Sequence, residues 1–138
     1  MDGDKAMIVA GIGFRQAADA HEIVTLVERA LGLASLVPES LDRLATIASL
    51  AALPAFRDAA ERLGVTAVPV DAGALAAAGA GVRTVSARSL AAHNVGSVAE
   101  AAALAGAGHD AVLILDRISS PAVTCALARG PATSESRP

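Results

Sequence analysis

Few residues in this chain have the means to do chemistry. Arg15 closes the run Gly11-Ile12-Gly13-Phe14-Arg15, directly after the apolar stretch Ala6–Ala10. A guanidinium is a flat fork that grips a carboxylate or phosphate through two parallel hydrogen bonds. The two glycines suit a tight turn, and a backbone without Cβ atoms also lets a ligand approach closely. Arg15 is equally suited to pair on the surface with Asp19 or Glu22. Three histidines, His21, His93 and His109, are scattered, and no two have the i, i+4 spacing of a helical metal site. His93 adjoins Asn94-Val95-Gly96 and is the best placed for acid–base work. Glu100 follows Ser97 by three residues, as in a capping box, and reads as a capping residue first.

Several familiar chemistries find no support. Gly-Ile-Gly-Phe-Arg-Gln lacks the third glycine of a dinucleotide fingerprint, and no acidic residue ends a second strand to hold a ribose. The nucleophile elbow G-x-S-x-G is missing, and no Ser–His–Asp or Cys–His order stands out. The single cysteine, Cys125, excludes an intrachain disulfide framework and lies in an apolar run. No metal site and no cofactor are expected.

The elements that must position these residues follow from pattern. The chain has 138 residues, 54% hydrophobic and 18% charged, enough for one domain with a real core. Ala6–Gly11 reads as a central strand. Leu44–Ala48, Ala67–Val70, Ala111–Leu115 and Ala122–Ala128 are the other strand candidates. Pro69 points to an edge position for the third. Asp19 and Glu22 mark a helix start before Ile23, Val27, Ala30, Leu31 and Ala34, which recur at helical spacing. Pro54 opens another helix, with Phe56, Ala59, Ala60 and Leu63 on one face and Gly64 at its end. Short helices are expected over Ala74–Ala78 and Ser86–His93, a turn at Asn94–Gly96, and a helix from Ser97. The stretch between the last two strands is too short for a crossover helix, so these two pair antiparallel. The expectation is an α/β fold: a three-layer α/β/α sandwich with a mixed, mostly parallel sheet of about five strands ending in an antiparallel hairpin. One domain spans residues 1–130 and a flexible polar tail 131–138.

Composition narrows function. Aromatics are 1%, with no Trp or Tyr, and the net charge is -3. There is no stacking platform for bases and no overall field to attract nucleic acid. The basic residues are ten arginines and the single Lys5. No uncharged apolar stretch reaches the about 18 residues of a membrane span, and the polar, acidic start Met1–Met7 is no secretory signal, so a cytoplasmic protein is expected. In open α/β sheets ligands bind beyond the carboxyl ends of the parallel strands. Gly11–Arg15, Thr46–Ser49 and Asn94–Ser97 each precede a helix there, and helix N-termini favour anions. From the residues alone, the chain is a small α/β domain with an arginine-fringed cleft for an anionic ligand.

A combination of stretches carries a resemblance. Val9-Ala10-Gly11-Ile12-Gly13-Phe14-Arg15, Ala18–Ile23, Leu44–Ile47, Ala55–Val65, Gly96–Gly108 and Ala122–Gly130 resemble, in order and spacing, the CobE / CbiG C-terminal domain family of cobalamin (vitamin B12) biosynthesis, from about Met7 to Gly130. The standalone CobE type fits best. The resemblance implies binding or handling of a precorrin or corrin intermediate, a macrocycle fringed with carboxylates. Carried over position by position, it falls on Gly11, Gly13, Phe14, Arg15, Thr46, Thr84, Ser86, Gly96, Ser97, Glu100 and Thr124. In the family's hydrolase-like alternative, a cobalt-precorrin-5A lactone is opened with release of acetaldehyde, and His93 or Glu100 would act as base. A third reading is a docking module for a corrin-pathway methyltransferase through the Ala-rich stretch Ala72–Gly81. The chain departs from the family where an aspartate, a lysine and an acid are usual, having Ala48, Leu50 and Leu53. It also has Ala17-Ala18-Asp19 in place of Gly-Ala-Ser. Those losses tilt the reading from hydrolysis toward binding.

Overall fold

The computed structural model describes residues 7–15, 17–71, 73–74, 94–108 and 111–130, with the backbone alone for 94–97. The expected helices over Ala74–Ala78 and Ser86–His93, and the tail 131–138, fall almost wholly outside these residues.

Five strands form one sheet: β1 (Met7–Phe14), β2 (Arg43–Ile47), β3 (Thr66–Val70), β4 (Val112–Ser119) and β5 (Val123–Gly130), in the order β3-β2-β1-β5-β4. β1 pairs parallel with β2, and β2 with β3, while β5 runs antiparallel to both β1 and β4. The mixed sheet and its closing hairpin are as the pattern predicts. β3 with Pro69 is indeed an edge.

Helix α1 (Ala20–Leu33) starts where Asp19 accepts the Glu22 N–H at 2.8 Å. A short helix α2 (Ala48–Ala51) follows β2 directly. Helix α3 (Pro54–Leu63) begins on its proline and stops at Gly64, whose φ of 73° is left-handed. On this face of the sheet Ile8, Ala10, Ile12 and Phe14 of β1 pack with Ile23, Leu26, Val27, Leu31 and Phe56. The Phe14 and Phe56 rings stack with centroids 6.4 Å apart.

The other face is built from small residues. Helix α4 (Asn94–Ala107) lays Ala102, Ala103 and Ala107 on Val9, Ala45, Val70 and Ala128. Its backbone lies almost on the sheet: a Cβ added to Gly11 would sit 2.1 Å from the Ala99 carbonyl oxygen, and one on Gly130 would sit 2.2 Å from that of Ala107. These two glycines also fix the helix direction, antiparallel to β1. Arg43, at the start of β2, donates to the Gly106 carbonyl at 3.2 Å, placing a cation at the helix C-terminus, where the dipole favours it.

Two corrections follow. Asn94–Gly96 is not a turn but the opening of α4, so Ser97 lies within the helix rather than at its cap. Gly11 is not at a turn either: β1 runs on to Phe14, and the missing Cβ admits a helix rather than a ligand.

Gly11→Ala should cost about 3 kcal/mol in equilibrium denaturation, since the added methyl meets backbone that has no rotamer to yield. A loss below about 0.5 kcal/mol, the range of ordinary surface changes, would mean that α4 is not seated this way. Cys125 is buried in the middle of β5, and desolvation pushes its thiol up to about 12 from 9.0. Its contribution is complete below pH 9 and declines as pH rises toward 12, because only the unfolded chain can then release the proton. Native protein should be inert to a thiol reagent at pH 8 and react once denatured.

Candidate functional site

The carboxyl ends of β1 and β2 lie side by side, with Gly11 opposite Ala45 in the parallel register. β5 begins at the same end, where Phe14 is opposite Val123, so the β4–β5 turn also reaches it. α4 runs antiparallel to β1, with Ala99 and Ala103 over Gly11 and Ala107 at Gly130, which brings its N-terminal turn to this end. The three segments expected to converge therefore share one end of the sheet, the end toward which α4 turns its N-terminus.

Arg15 stands at the rim. Its N–H extends the ladder to the Ala122 carbonyl at 3.0 Å, and its side chain is exposed. The surface pairing open to it does not form: its guanidinium has no carboxylate partner among the described residues. Asp19 is occupied as the cap of α1, and Glu22 faces elsewhere.

Glu22 makes a link that pattern could not show. Its Oε2 accepts from the Ser120 hydroxyl and from the Ala122 N–H, the latter at 2.9 Å. The first turn of α1 thereby holds the β4–β5 turn against the β1–α1 connection. The contact spans 98 to 100 residues of sequence, so no local signal marks it.

The other expected residues divide by burial. Thr46 is fully buried, and its hydroxyl donates to the Ile12 carbonyl at 2.7 Å; it ties β2 to β1 and does not present the hydroxyl outward. Phe14 is 6% exposed and stacked on Phe56, so its ring belongs to the core and does not offer a face to a macrocycle. The Gly13 carbonyl accepts from the Thr124 hydroxyl at 3.2 Å, tying β5 to β1 near the rim. Gly96 and Ser97 lie in the opening turn of α4. His93, Thr84 and Ser86 lie outside the described residues.

Glu100 is no capping residue. It sits in the second turn of α4, 2% exposed, and its Oε2 accepts the Arg117 N–H at 3.3 Å. The reason lies in β4. Leu115 pairs with Leu127 and Ile118 with Cys125, so Asp116 and Arg117 together stand opposite Ala126. Such a bulge leaves one residue out of the ladder, and Glu100 takes up the N–H. The other oxygen, Oε1, is buried with no hydrogen-bond partner among the described residues.

The expected second charged turn is apolar: β2 passes straight into α2, with Ala48 at its first position and no side-chain cap. A separate hollow of about 570 Å³ lies between α3 and β3, lined by Ala52, Pro54, Arg57, Asp58, Ala60, Glu61, Val65 and Ala67, none of them an expected site residue.

Comparison with known proteins adds ancestry. A family model described as cobalamin synthesis G C-terminus matches residues 8–128. Protein CobE from Sinorhizobium sp is 40% identical over 128 residues, covering 93% of this chain and 82% of that protein. The crystal structure of CobE, a protein from the cobalamin (vitamin B12) biosynthetic pathway, superposes with a TM-score of 0.76 at 32% identity, covering 90% of each chain. Cobalamin biosynthesis protein chiG from Agrobacterium tumefaciens str. C58 gives 0.70 at 33% identity, covering 88% of this chain and 97% of that one.

Glu22→Ala should lower stability by about 1–2 kcal/mol in a denaturant melt, by orphaning the Ala122 N–H and leaving the Ser120 hydroxyl only the Val123 carbonyl at 3.5 Å. Glu22→Gln keeps an acceptor and should recover most of the loss. Equal losses in the two variants would deny Glu22 this role.

Proposed function

Since the chain belongs to the cobalamin synthesis G C-terminus family, we propose that it serves cobalamin biosynthesis by binding or handling a precorrin or corrin intermediate through its carboxylates. Arg15 carries this reading. It is an exposed guanidinium without a carboxylate partner among the described residues, at the end of the sheet to which α4 turns its N-terminus. The neighbouring acids Asp19 and Glu22 are held in internal hydrogen bonds and leave it uncompeted. A ligand fringed with carboxylates gains from several such grips, each charge-assisted and stronger than a neutral hydrogen bond.

Lactone hydrolysis has less support. The second turn offers Ala48 and Leu50 where the family has an acid and a base, and one oxygen of Glu100 is engaged with the β4 bulge. Docking on a methyltransferase would use Ala72–Gly81, a stretch almost wholly outside the described residues, and gains nothing from those described.

Absorbance titration of the purified chain with hydrogenobyrinic acid should give a saturable spectral shift at micromolar concentration. Arg15→Ala should weaken it about tenfold, the equivalent of one charge-assisted contact, without changing the melting temperature. No saturable shift with the unaltered chain would overturn the reading.

A further inference from the structure

Glu100 is bound more loosely than its burial requires. The carboxyl is 2% exposed; one oxygen meets a single backbone N–H at 3.3 Å, and the other meets no donor among the described residues. A buried acceptor left unmet costs about 1–3 kcal/mol, and a buried unsatisfied group in a native protein calls for a reason. The bulge does not supply it, since the Arg117 N–H needs one acceptor and a glutamine would serve as well. No cation lies within ion-pair reach of Glu100 among the described residues.

Position indicates what the free oxygen is for. Side chains on a helix lean toward its N-terminus, and α4 points that end at the rim carrying Arg15. Glu100 therefore lies in the second turn of α4, toward β4 and inward of the end that carries Arg15. Arg15 donates, whereas Oε1 is an oxygen that no donor meets among the described residues. A carboxylate arm suits the first and an N–H or O–H arm the second. A group carrying both an acceptor and a donor suits both.

We propose that Glu100 Oε1 accepts a hydrogen bond from an N–H or O–H donor of the ligand, at the inner end of a mouth whose rim grips carboxylates through Arg15. This deepens the binding reading above and rests on it. The mouth then sorts ligands by what their arms carry: acids outside, one donor inside. Glu100 acts here as a recognition residue and needs to move no proton.

The test uses the full chain and Glu100→Gln. Two probes are titrated by absorbance: a metal-free corrin polycarboxylic acid, and the same corrin with its acetate arms converted to amides. Glutamine still accepts from Arg117 but sets an N–H₂ group where the free oxygen was. The melting temperature should therefore stay within about 2 °C, a change worth well under 1 kcal/mol. Affinity for the preferred probe should fall about tenfold or more, because donor would face donor. If only the amide probe loses affinity, the donor is a peripheral amide. If both lose it equally, the donor is a hydroxyl or ring N–H common to the two. Glu100→Ala, which also abandons the bulge, should lose both stability and affinity. Unaltered binding of both probes by Glu100→Gln overturns the inference while leaving the rim reading intact. Failure of the unaltered chain to bind either probe removes both.

Discussion

The contact on which the arrangement depends is the near-touching of two backbones, α4 against β1 at Gly11. A Cβ at that position would lie 2.1 Å from the Ala99 carbonyl and 2.3 Å from the Ala103 amide. Everything on that side of the sheet answers to this closeness. The facing residues are Ala102, Ala103 and Ala107 above, and Val9, Ala45 and Ala128 below. The opposite side, where α1 and α3 stand off at ordinary distance, takes Ile, Leu and two Phe rings. The alanines of this face thus have a structural cause: larger side chains would hold the helix off the sheet. Because the helix cannot slide past a glycine so tightly seated, its N-terminal end is held at the carboxyl end of β1.

That seating separates what the residues announced from what they concealed. Local chemistry was legible. Pro54 opens α3, Gly64 closes it in a left-handed conformation, Asp19 caps α1, and Pro69 lies on an edge strand. The α/β class and antiparallel hairpin followed from run lengths. What misled was chemistry that serves distant partners. Gly11 and Gly13 resembled a turn because glycines punctuate turns, but at Gly11 the requirement comes from a helix nearly ninety positions further on. Ser97 and Glu100 had the spacing of a capping box, but the helix begins at Asn94 and the glutamate turns to β4. α1 ends without glycine, on Ser35 at φ 62°, where residue type offered no mark.

The candidate site was legible in outline and misread in detail. Three segments do share one end of the sheet, as the carboxyl-end rule for α/β sheets requires. Within it, Thr46 and Phe14 are taken up by the fold, while the Arg15 guanidinium has no carboxylate partner among the described residues. The distinction rests on alternation and on hydrogen-bond accounting, and only the latter needs coordinates. Phe14 follows the inward set Ile8, Ala10 and Ile12, so its burial was available from period two. That the Thr46 hydroxyl would be claimed by the Ile12 carbonyl was not. The chain's net charge of -3 gave no hint that Arg15 would stand without a carboxylate partner among the described residues, because that depends on Asp19 and Glu22 being turned to backbone and hydroxyl donors instead.

The position of β5 also governs how this molecule comes into being. It lies between β1 and β4, and among the described strands it is the one running against the others. While a ribosome is still making the chain, β1, β2 and β3 can associate as a small parallel sheet, but one flank of β1 stays bare until β5 emerges. Long-range pairings of this kind slow folding, and an unpaired flank is a template for pairing with other chains. The alanine-lined helix emerges before β5 does, so during that interval it can shelter the face of β1 but not its open edge.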